Sequence, residues 1–354
     1  MDNLIDRFSE GPVLFTAALL IGFMFGAAAQ HSRFCLRAAT IELSEYTLGP
    51  RMAIWLLAFF AAVLSVQILI AVGYLDVSGS RQIAATGSLS GAVIGGILFG
   101  IGMILARGCA SRLLVLSATG NLRAIVTGLV LTLAAQASLR GFLSPFREYL
   151  ASLWPISGGA PRDLASQFGF SSSTLASVAS LALIFSLWLA VHRSIKPSRI
   201  AAAVIVGVAV GAGWWATYLV ASHSFEVVAV SSITFTGPST DTLMGLINER
   251  GLPLEFGSGL VPGVFLGAAG MALATKEAQL QRFGPDTPME RYLLGGVLMG
   301  FGSMLAGGCA VGAGMSGGAI FALTAWLALF CMWIGAIGTL IFMSSKAHAI
   351  HGAA

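Results

Sequence analysis

Two cysteines lie at matching points of two similar apolar segments. Cys109 lies near the end of GGILFGIGMILARGCA (95–110), and Cys309 near the end of GGVLMGFGSMLAGGCA (295–310). The segments align without a gap, and ten of their 16 positions are identical. Because shared Gly, Ala and Leu composition does not explain the common Leu-Ala-x-Gly-Cys-Ala ending, we interpret the pair as an internal repeat. The alternative is that each cysteine is a small apolar filler.

A thiol in such a segment has two chemical uses. It is a weak hydrogen-bond donor and a soft, polarizable group, so it suits a ligand that is itself a soft sulfur centre. In apolar surroundings it stays neutral and does not repel a dianion. The other use is nucleophilic: a thiolate attacks sulfane sulfur and forms a persulfide, with Arg107 as the nearby charge that favours ionisation.

The residues around both cysteines favour an irregular backbone. GGCAVGAGMSGG (307–318) has six glycines in 12 residues and no charge. Glycine weakens helices and leaves backbone N–H and C=O groups free to face a ligand, and non-helical backbone at membrane depth is tolerated where it lines a cavity. We expect two broken helices that enter from opposite faces and meet near the midplane. Their supporting backbone positions are Gly108, Ala110, Gly308 and Ala310.

Such breaks can also attract an anion. The N-terminus of a half-helix presents unpaired N–H groups and a partial positive charge, and the candidates are SRLLVLSATG (111–120) and SGGAIFAL (316–323). Four arginines close to the cysteines add positive potential: Arg33, Arg37, Arg107 and Arg112. Their ordinary role is to orient the chain in the membrane.

The other two cysteines have no repeat partner. Cys35 lies in QHSRFCLRA (30–38), and its counterpart in the second half is SSITFTGPSTD (231–241), which has hydroxyls and no cysteine. We expect TFTGPSTD to form an external turn. Cys331, in LALFCMWIGA (327–336), is interpreted as apolar filler, and the pair Trp214–Trp215 as part of an interfacial aromatic belt.

Composition places these motifs in a membrane. The chain has 354 residues, of which 56% are hydrophobic and only 10% charged, against about 25% charged in a soluble domain. Apolar runs of roughly 20 residues indicate spanning helices, so we predict an all-α polytopic membrane protein. The nine predicted spans are 12–29, 52–75, 89–106, 124–143, 173–191, 200–222, 259–275, 291–306 and 319–343.

Charge and repeat spacing predict the topology. Thirteen Lys and Arg residues fall on the side of the loop after span 1, against six on the other side, which favours a periplasmic N-terminus and a cytoplasmic C-terminus. The repeat segments are spans 3 and 8, an odd number apart, so they cross in opposite directions. We predict an inverted-topology repeat: a first half at 1–172, a connector span at 173–199 and a second half at 200–354.

The cysteine motifs resemble those of the YeeE/YedE family of sulfur-compound transporters. The matching stretches are HSRFCLRA, GGILFGIGMILARGCA and GGVLMGFGSMLAGGCA. The resemblance implies an hourglass-like fold of inverted halves, import of thiosulfate or a related sulfur species across the bacterial inner membrane, and successive contact of the ion with Cys35, Cys109 and Cys309. It also implies a separate small cytosolic sulfur carrier of the SirA-like type.

Other function classes find less support in the residues. There is no CxxC, no His–Cys cluster with metal-ligand spacing and no Lys/Arg run, so we expect no metal, cofactor or nucleic acid. Two alternatives to transport of a sulfur anion stay open. One is a persulfide-forming membrane sulfurtransferase, which the absence of a nearby general base disfavours; the other is a channel for another small solute. We predict a transporter and not an enzyme.

Overall fold

The computed structural model describes residues 9–251, 253–283 and 288–351. Within these residues, nine helical segments are long and apolar enough to cross a membrane. Each predicted span coincides with the long helix of one of them to within a few residues, and three of the segments continue past the predicted end, to Ser44, Ala118 and Gly317. The protein is an all-α polytopic membrane protein, as its composition predicted.

Fifteen α-helices, a 3-10 helix (Ala160–Arg162), a π-helix and two very short strands make up the described fold. Strands β1 (Gly87–Ser88) and β2 (Pro155–Ile156) pair antiparallel, and a π-helix spans Ala310–Gly317. The helices are α1 (Glu10–Ser32), α2 (Leu36–Ser44), α3 (Pro50–Ala71), α4 (Arg81–Ala84), α5 (Leu89–Leu105), α6 (Ala110–Ala118), α7 (Leu122–Arg140), α8 (Ser144–Ser152), α9 (Leu164–Phe168), α10 (Ser172–His192), α11 (Pro197–His223), α12 (Thr236–Asn248), α13 (Phe256–Ala274), α14 (Met289–Ala306) and α15 (Leu323–His351).

Three of the nine spans are interrupted helices. Each consists of a long helix, a three- or four-residue break and a short helix: α1 with α2, α5 with α6, and α14 with the π-helix. The sequence predicted the second and third breaks from their glycines. It also predicted that the third short helix starts within SGGAIFAL, and this was wrong, because the helix starts at Ala310.

The two repeat segments pack against each other with reciprocal contacts. A Cβ placed on Gly95 would lie 2.5 Å from the backbone nitrogen of Ala306, and one on Gly295 would lie 2.7 Å from that of Ala106. Because only glycine fits at these crossings, the backbones approach closely. Contacts of Gly102 with Gly295 show that α5 and α14 run antiparallel.

The long helices also form two sets of equivalent pairs, in which each helix of one half is replaced by its counterpart from the other half. Helix α1 packs against α13 and α11 against α3; α5 packs against α15 and α14 against α7. Within each of these pairs the helices run parallel; for example, Gly207 and Gly211 of α11 abut Ala58 and Ser65 of α3. Helix α10 packs chiefly against α3 and has no counterpart in this set.

Candidate functional site

One backbone break recurs at three cysteines. In each case a long helix ends, one residue adopts a positive φ, and the cysteine two positions later is the N-cap of the next short helix. The residue before each cysteine donates its amide hydrogen to the carbonyl five positions earlier, at 2.9–3.2 Å. This is the Schellman type of helix end. The turn residues are Arg33 (φ 58°), Arg107 (φ 57°) and Gly307 (φ 83°), and the cysteines are Cys35, Cys109 and Cys309.

Cys309 is buried and has two hydrogen-bonding neighbours. Its Sγ accepts a hydrogen bond from the amide of Gly312 at 3.4 Å, and the Oγ1 of Thr234 lies 4.0 Å away. The residue is 1% exposed. The π-helix that follows is anchored by the Ser316 hydroxyl, which donates to the carbonyl of Ile233 at 2.6 Å. A π-helix is an uncommon element that occurs often at functional sites.

The segment that contacts Cys309 is not the external turn that the sequence predicted. Ile233 and Phe235 are buried, and Thr236 begins helix α12. The Thr217 hydroxyl donates to the carbonyl of Ser231 at 2.6 Å and fastens this segment to α11. The interpretation of TFTGPSTD was wrong because its Gly and Pro fall in the first turn of a helix, where both residues are tolerated.

Trp214 also departs from the expected interfacial position. Its side chain is fully buried, and its indole Nε1 donates to the carbonyl of Ser316 at 3.2 Å. Trp215, on the next face of the helix, is exposed. Only Trp215 therefore has the exposure that the sequence-based interpretation requires, whereas Trp214 supports the π-helix after Cys309.

Cys109 is buried at the start of the short helix α6. It interacts electrostatically with Cys35 and with Cys309, and its short helix α6 contacts the π-helix. The Ser111 hydroxyl lies 3.3 Å from Cys109 Sγ. Both the thiol and this hydroxyl belong to buried residues, so Cys109 has a polar neighbour inside the protein.

Cys35 and Cys331 differ in placement. Cys35 is partly exposed, and its N-cap position is one that the repeat alignment did not predict. Cys331 is buried in the middle of α15, where its Cβ packs against Gly96 of α5. Cys331 thus occupies a helix–helix contact, away from any of the three breaks.

The supporting backbone positions are not equivalent in the two halves. A Cβ placed on Gly308 would lie 2.8 Å from the amide nitrogen of Ala313, so glycine is required there. At Gly108 the nearest atom would be 3.5 Å away, which is ordinary contact. Ala110 and Ala310 are both buried at the start of their short helices.

A polar network joins two of the breaks. Arg33 donates to Glu277 at 3.0 Å, Gln30 donates to the same carboxylate at 2.9 Å, and Arg112 donates to Gln30 at 3.4 Å. Hydrogen bonding from the Arg33 guanidinium holds the pKa of Glu277 below its usual range, against a smaller opposing effect of burial. Arg112 also interacts electrostatically with Cys35.

Two basic pockets flank the breaks. The first, which we name the Arg37 pocket, has a volume of about 320 Å³. The second, which we name the Arg81 pocket, has about 470 Å³. The polar residues of the Arg37 pocket are Arg37, Arg107, Arg123, Asn121, Gln281 and Tyr292. The basic residues of the Arg81 pocket are Arg81, Arg147 and Arg162.

The pockets occupy equivalent places in the two repeats. Ala106 and Leu113 line the Arg37 pocket, and Ala306 and Ala313, 200 positions later, line the Arg81 pocket. Because α5 and α14 run antiparallel, their C-terminal ends point to opposite ends of the bundle, and each pocket lies at one of these ends. The breaks that carry Cys109 and Cys309 begin beside the two pockets.

A family model described as sulphur transport matches residues 31–338. The chain belongs to the sulphur transport family. The matched residues include all three breaks, and the resemblance to YeeE/YedE proteins that the cysteine motifs predicted is confirmed.

Two relatives of this sulphur transport family member are each named thiosulfate transporter TsuA. The one from Spirochaeta thermophila is 28% identical over 334 residues, which cover 90% of this chain and 95% of the relative. The one from Escherichia coli is 26% identical over 345 residues, which cover 90% of this chain and 92% of the relative. The similarity therefore extends over nearly the full length of both relatives.

Sequence reasoning missed several residues of this family member's site. Ser111 and Thr234 lie beside two of the thiols, and no spacing rule distinguishes them from other hydroxyls. Arg123 was counted only as an orienting charge. Arg81, at the start of α4, and Arg162, between β2 and α9, lie outside the repeated segments 95–110 and 295–310, and only the folded chain brings them next to Gly307.

Proposed function

We propose that this chain transports thiosulfate, or a closely related sulfur oxyanion, across the bacterial inner membrane into the cytoplasm. The observation that carries the proposal is the arrangement of three N-cap cysteines at helix breaks between two basic pockets on opposite ends of the bundle. The names of the TsuA relatives support the choice of ion.

The proposed path uses thiols where other anion sites use charge. Cys35, Cys109 and Cys309 each lie at the start of a short helix, where unpaired N–H groups favour an anion. A neutral S–H group can donate a weak hydrogen bond to the ion. Its sulfur is also a polarizable partner for the sulfane sulfur of the ion. Arg33, Arg37, Arg107 and Arg112 add positive potential near Cys35 and Cys109. No catalytic step is needed for this role.

The architecture supports alternating access between two halves. The reciprocal contacts of α5 and α14, and the matching helix pairs, support a division into 1–172, a connector at 173–199 and 200–354. Antiparallel equivalents are what an inverted-topology repeat requires. In this proposal each basic pocket serves as the mouth of one half.

Uptake of sulfane-labelled thiosulfate into proteoliposomes tests the transport proposal. We expect uptake by the wild type that sulfate added outside does not compete with. Cys109→Ser and Cys309→Ser are expected to reduce it at least about tenfold, because a hydroxyl keeps the donor but loses the polarizable sulfur. Cys331→Ser is the matched control and keeps uptake. Equal uptake by all four proteins would contradict a thiol-lined path.

The proposed orientation can be tested in cells. Tyr46 follows α2 and Phe225 follows α11, and both side chains are fully exposed. In a Cys35→Ser background, a membrane-impermeant maleimide is expected to label Phe225→Cys from outside the inner membrane and Tyr46→Cys only after the membrane is opened. The reverse pattern would place the N-terminus in the cytoplasm.

The receiving partner in this proposal is a separate SirA-like sulfur carrier on the cytoplasmic face. With the N-terminus outside, that face carries Cys35 and the Arg37 pocket. Co-purification of the chain with such a carrier after joint expression, and its loss when the carrier's cysteine is replaced, would support this partner. Failure to co-purify under transport conditions would count against it.

A further inference from the structure

The arginines of the two pockets differ in how they are held. Arg162 donates to the carbonyls of Arg81 and Ala85 and to the hydroxyl of Thr324. Arg147 donates to the carbonyl of Ser138 and to Glu148. The guanidinium groups of the Arg81 pocket are therefore largely engaged within the protein.

The Arg37 pocket presents the opposite situation. Within the described residues, the side chains of Arg37, Arg107 and Arg123 make no hydrogen bond or ion pair, and no carboxylate lines the pocket. The Nε atoms of Arg37 and Arg123 are buried without a partner. A buried donor without an acceptor costs roughly 1–3 kcal/mol, so this pocket lacks an acceptor that its donors require.

Repulsion adds to this cost. Arg37 interacts electrostatically with the like charges of Arg107 and Arg291, and the Nε of Arg291 is also buried and unpaired. Cys35 interacts with Arg37 as well but does not line the described pocket. Like charges held this close destabilise one another, and an anion between them would reverse the sign of the interaction. The neighbouring amide of Gln281 and the phenol of Tyr292 supply further hydrogen-bonding groups.

We propose that the Arg37 pocket binds a doubly charged tetrahedral oxyanion through its guanidinium groups, without participation of a thiol. No cysteine lines the described pocket, so the site has no means to prefer sulfane sulfur over oxygen. This inference rests on the proposed function for its role: the transported ion leaves the thiol path here, and sulfate or inorganic phosphate on the same side competes with it. The site itself does not depend on transport.

Binding of sulfate to the purified full-length protein, measured by isothermal titration at constant ionic strength, tests the site directly. We expect the wild type to bind sulfate and Arg123→Gln to bind it about tenfold more weakly, because one charged donor is lost. Arg123→Lys should recover part of the loss. Arg193→Gln, which removes an exposed arginine between α10 and α11, and Cys331→Ser, which changes a cysteine at a helix–helix contact, should bind as the wild type does. Absence of sulfate binding by the wild type, or equal binding by Arg123→Gln, would overturn the proposal.

A transport measurement tests the role of the pocket. Sulfate enclosed in proteoliposomes is expected to slow thiosulfate uptake by the wild type, and Arg123→Gln should relieve this inhibition. If the vesicles show no uptake while sulfate binding still depends on Arg123, the proposed function fails and the site stands. If uptake is normal and sulfate does not bind, the proposed oxyanion site is contradicted and the proposed transport function is unaffected. Sulfate binding that disappears in nanodiscs containing an anionic phospholipid would assign the pocket to a lipid headgroup and overturn the proposal.

Discussion

At the scale of single residues, the role of a cysteine depends on whether it lies inside a helix or at the start of one. Cys331 lies inside a regular helix and packs against a neighbouring helix. Cys309 lies at an N-cap, where its sulfur accepts a backbone N–H and has a threonine hydroxyl nearby. The position at a helix start, more than the thiol itself, makes a cysteine available to a passing ion.

Thr234→Val is expected to reduce thiosulfate uptake about fivefold and to lower thermal stability no more than the control Thr339→Val does. The substitution keeps the branched shape and removes the hydroxyl beside Cys309 Sγ, a neutral interaction worth about 1 kcal/mol. Uptake and the melting temperature in detergent are the two measurements. Thr339→Val is the matched control, since the Thr339 hydroxyl bonds only to its own helix at the carbonyl of Gly335. A loss of uptake in the control as large as in Thr234→Val would contradict a specific role of the Thr234 hydroxyl.

At the scale of helices, one residue with positive φ makes each break possible. Two of the three breaks use arginine at this position and one uses glycine. A left-handed conformation costs a residue other than glycine roughly 1–2 kcal/mol. Arg33 and Arg107 therefore hold a backbone conformation that costs stability.

Gly307→Ala is expected to destabilise the protein by roughly 1–2 kcal/mol through backbone conformation alone. A Cβ at this position would meet no atom within 4 Å, so a clash does not contribute. Gly338→Ala is the matched control: it also meets open space but lies in regular helix, and it should keep or raise stability. Gly307→Asn should cost less than Gly307→Ala, because asparagine tolerates this conformation. Equal melting temperatures for both alanine variants would contradict this account of the break.

At the scale of the whole molecule, contacts between distant segments hold the breaks in place. The Glu277 carboxylate, in the segment after α13, receives hydrogen bonds from Arg33 and Gln30 at the end of α1. Gln30 in turn accepts one from Arg112 in α6. One carboxylate therefore connects the break at Cys35 with the short helix after Cys109.

Stability is expected to fall at acidic pH in a way that depends on Glu277. Because the pKa of Glu277 is lower in the folded state, its contribution is complete above the unfolded value of about 4.3. It is lost as pH falls through the lower folded value. Arg33 and Glu277 are 41% and 35% exposed, so the contribution is at most about 1 kcal/mol.

Melting temperatures of the wild type and Glu277→Gln between pH 7 and pH values below about 4 check this. The variant should be less stable at neutral pH, and the difference should shrink on acidification. Glu148→Gln, whose carboxylate is more exposed, is the control. A difference that stays constant over this range would show that Glu277 acts by shape and not by charge.

The sequence by itself determined the spans, the repeat and two of the three helix breaks. Hydropathy is local, so the nine apolar runs predict nine helices wherever they pack. Glycine occurs at both 95 and 295 because the backbone of a neighbouring helix lies against each position, and this shared requirement appears in the sequence as a repeat. The break at Cys35 was less clear, since its left-handed residue is an arginine and no glycine marks it.

Tertiary structure alone decided which polar groups accompany the thiols and where the charges lie. Thr234 reaches Cys309 across 75 positions of chain, and Glu277 meets Arg33 across 244. The two basic pockets draw arginines from separate short helices, helix ends and one break, at positions that share no spacing. Such contacts arise from the packing of α5 against α14, which brings distant segments together at each end of the bundle. A pattern along the sequence does not predict which segments meet there.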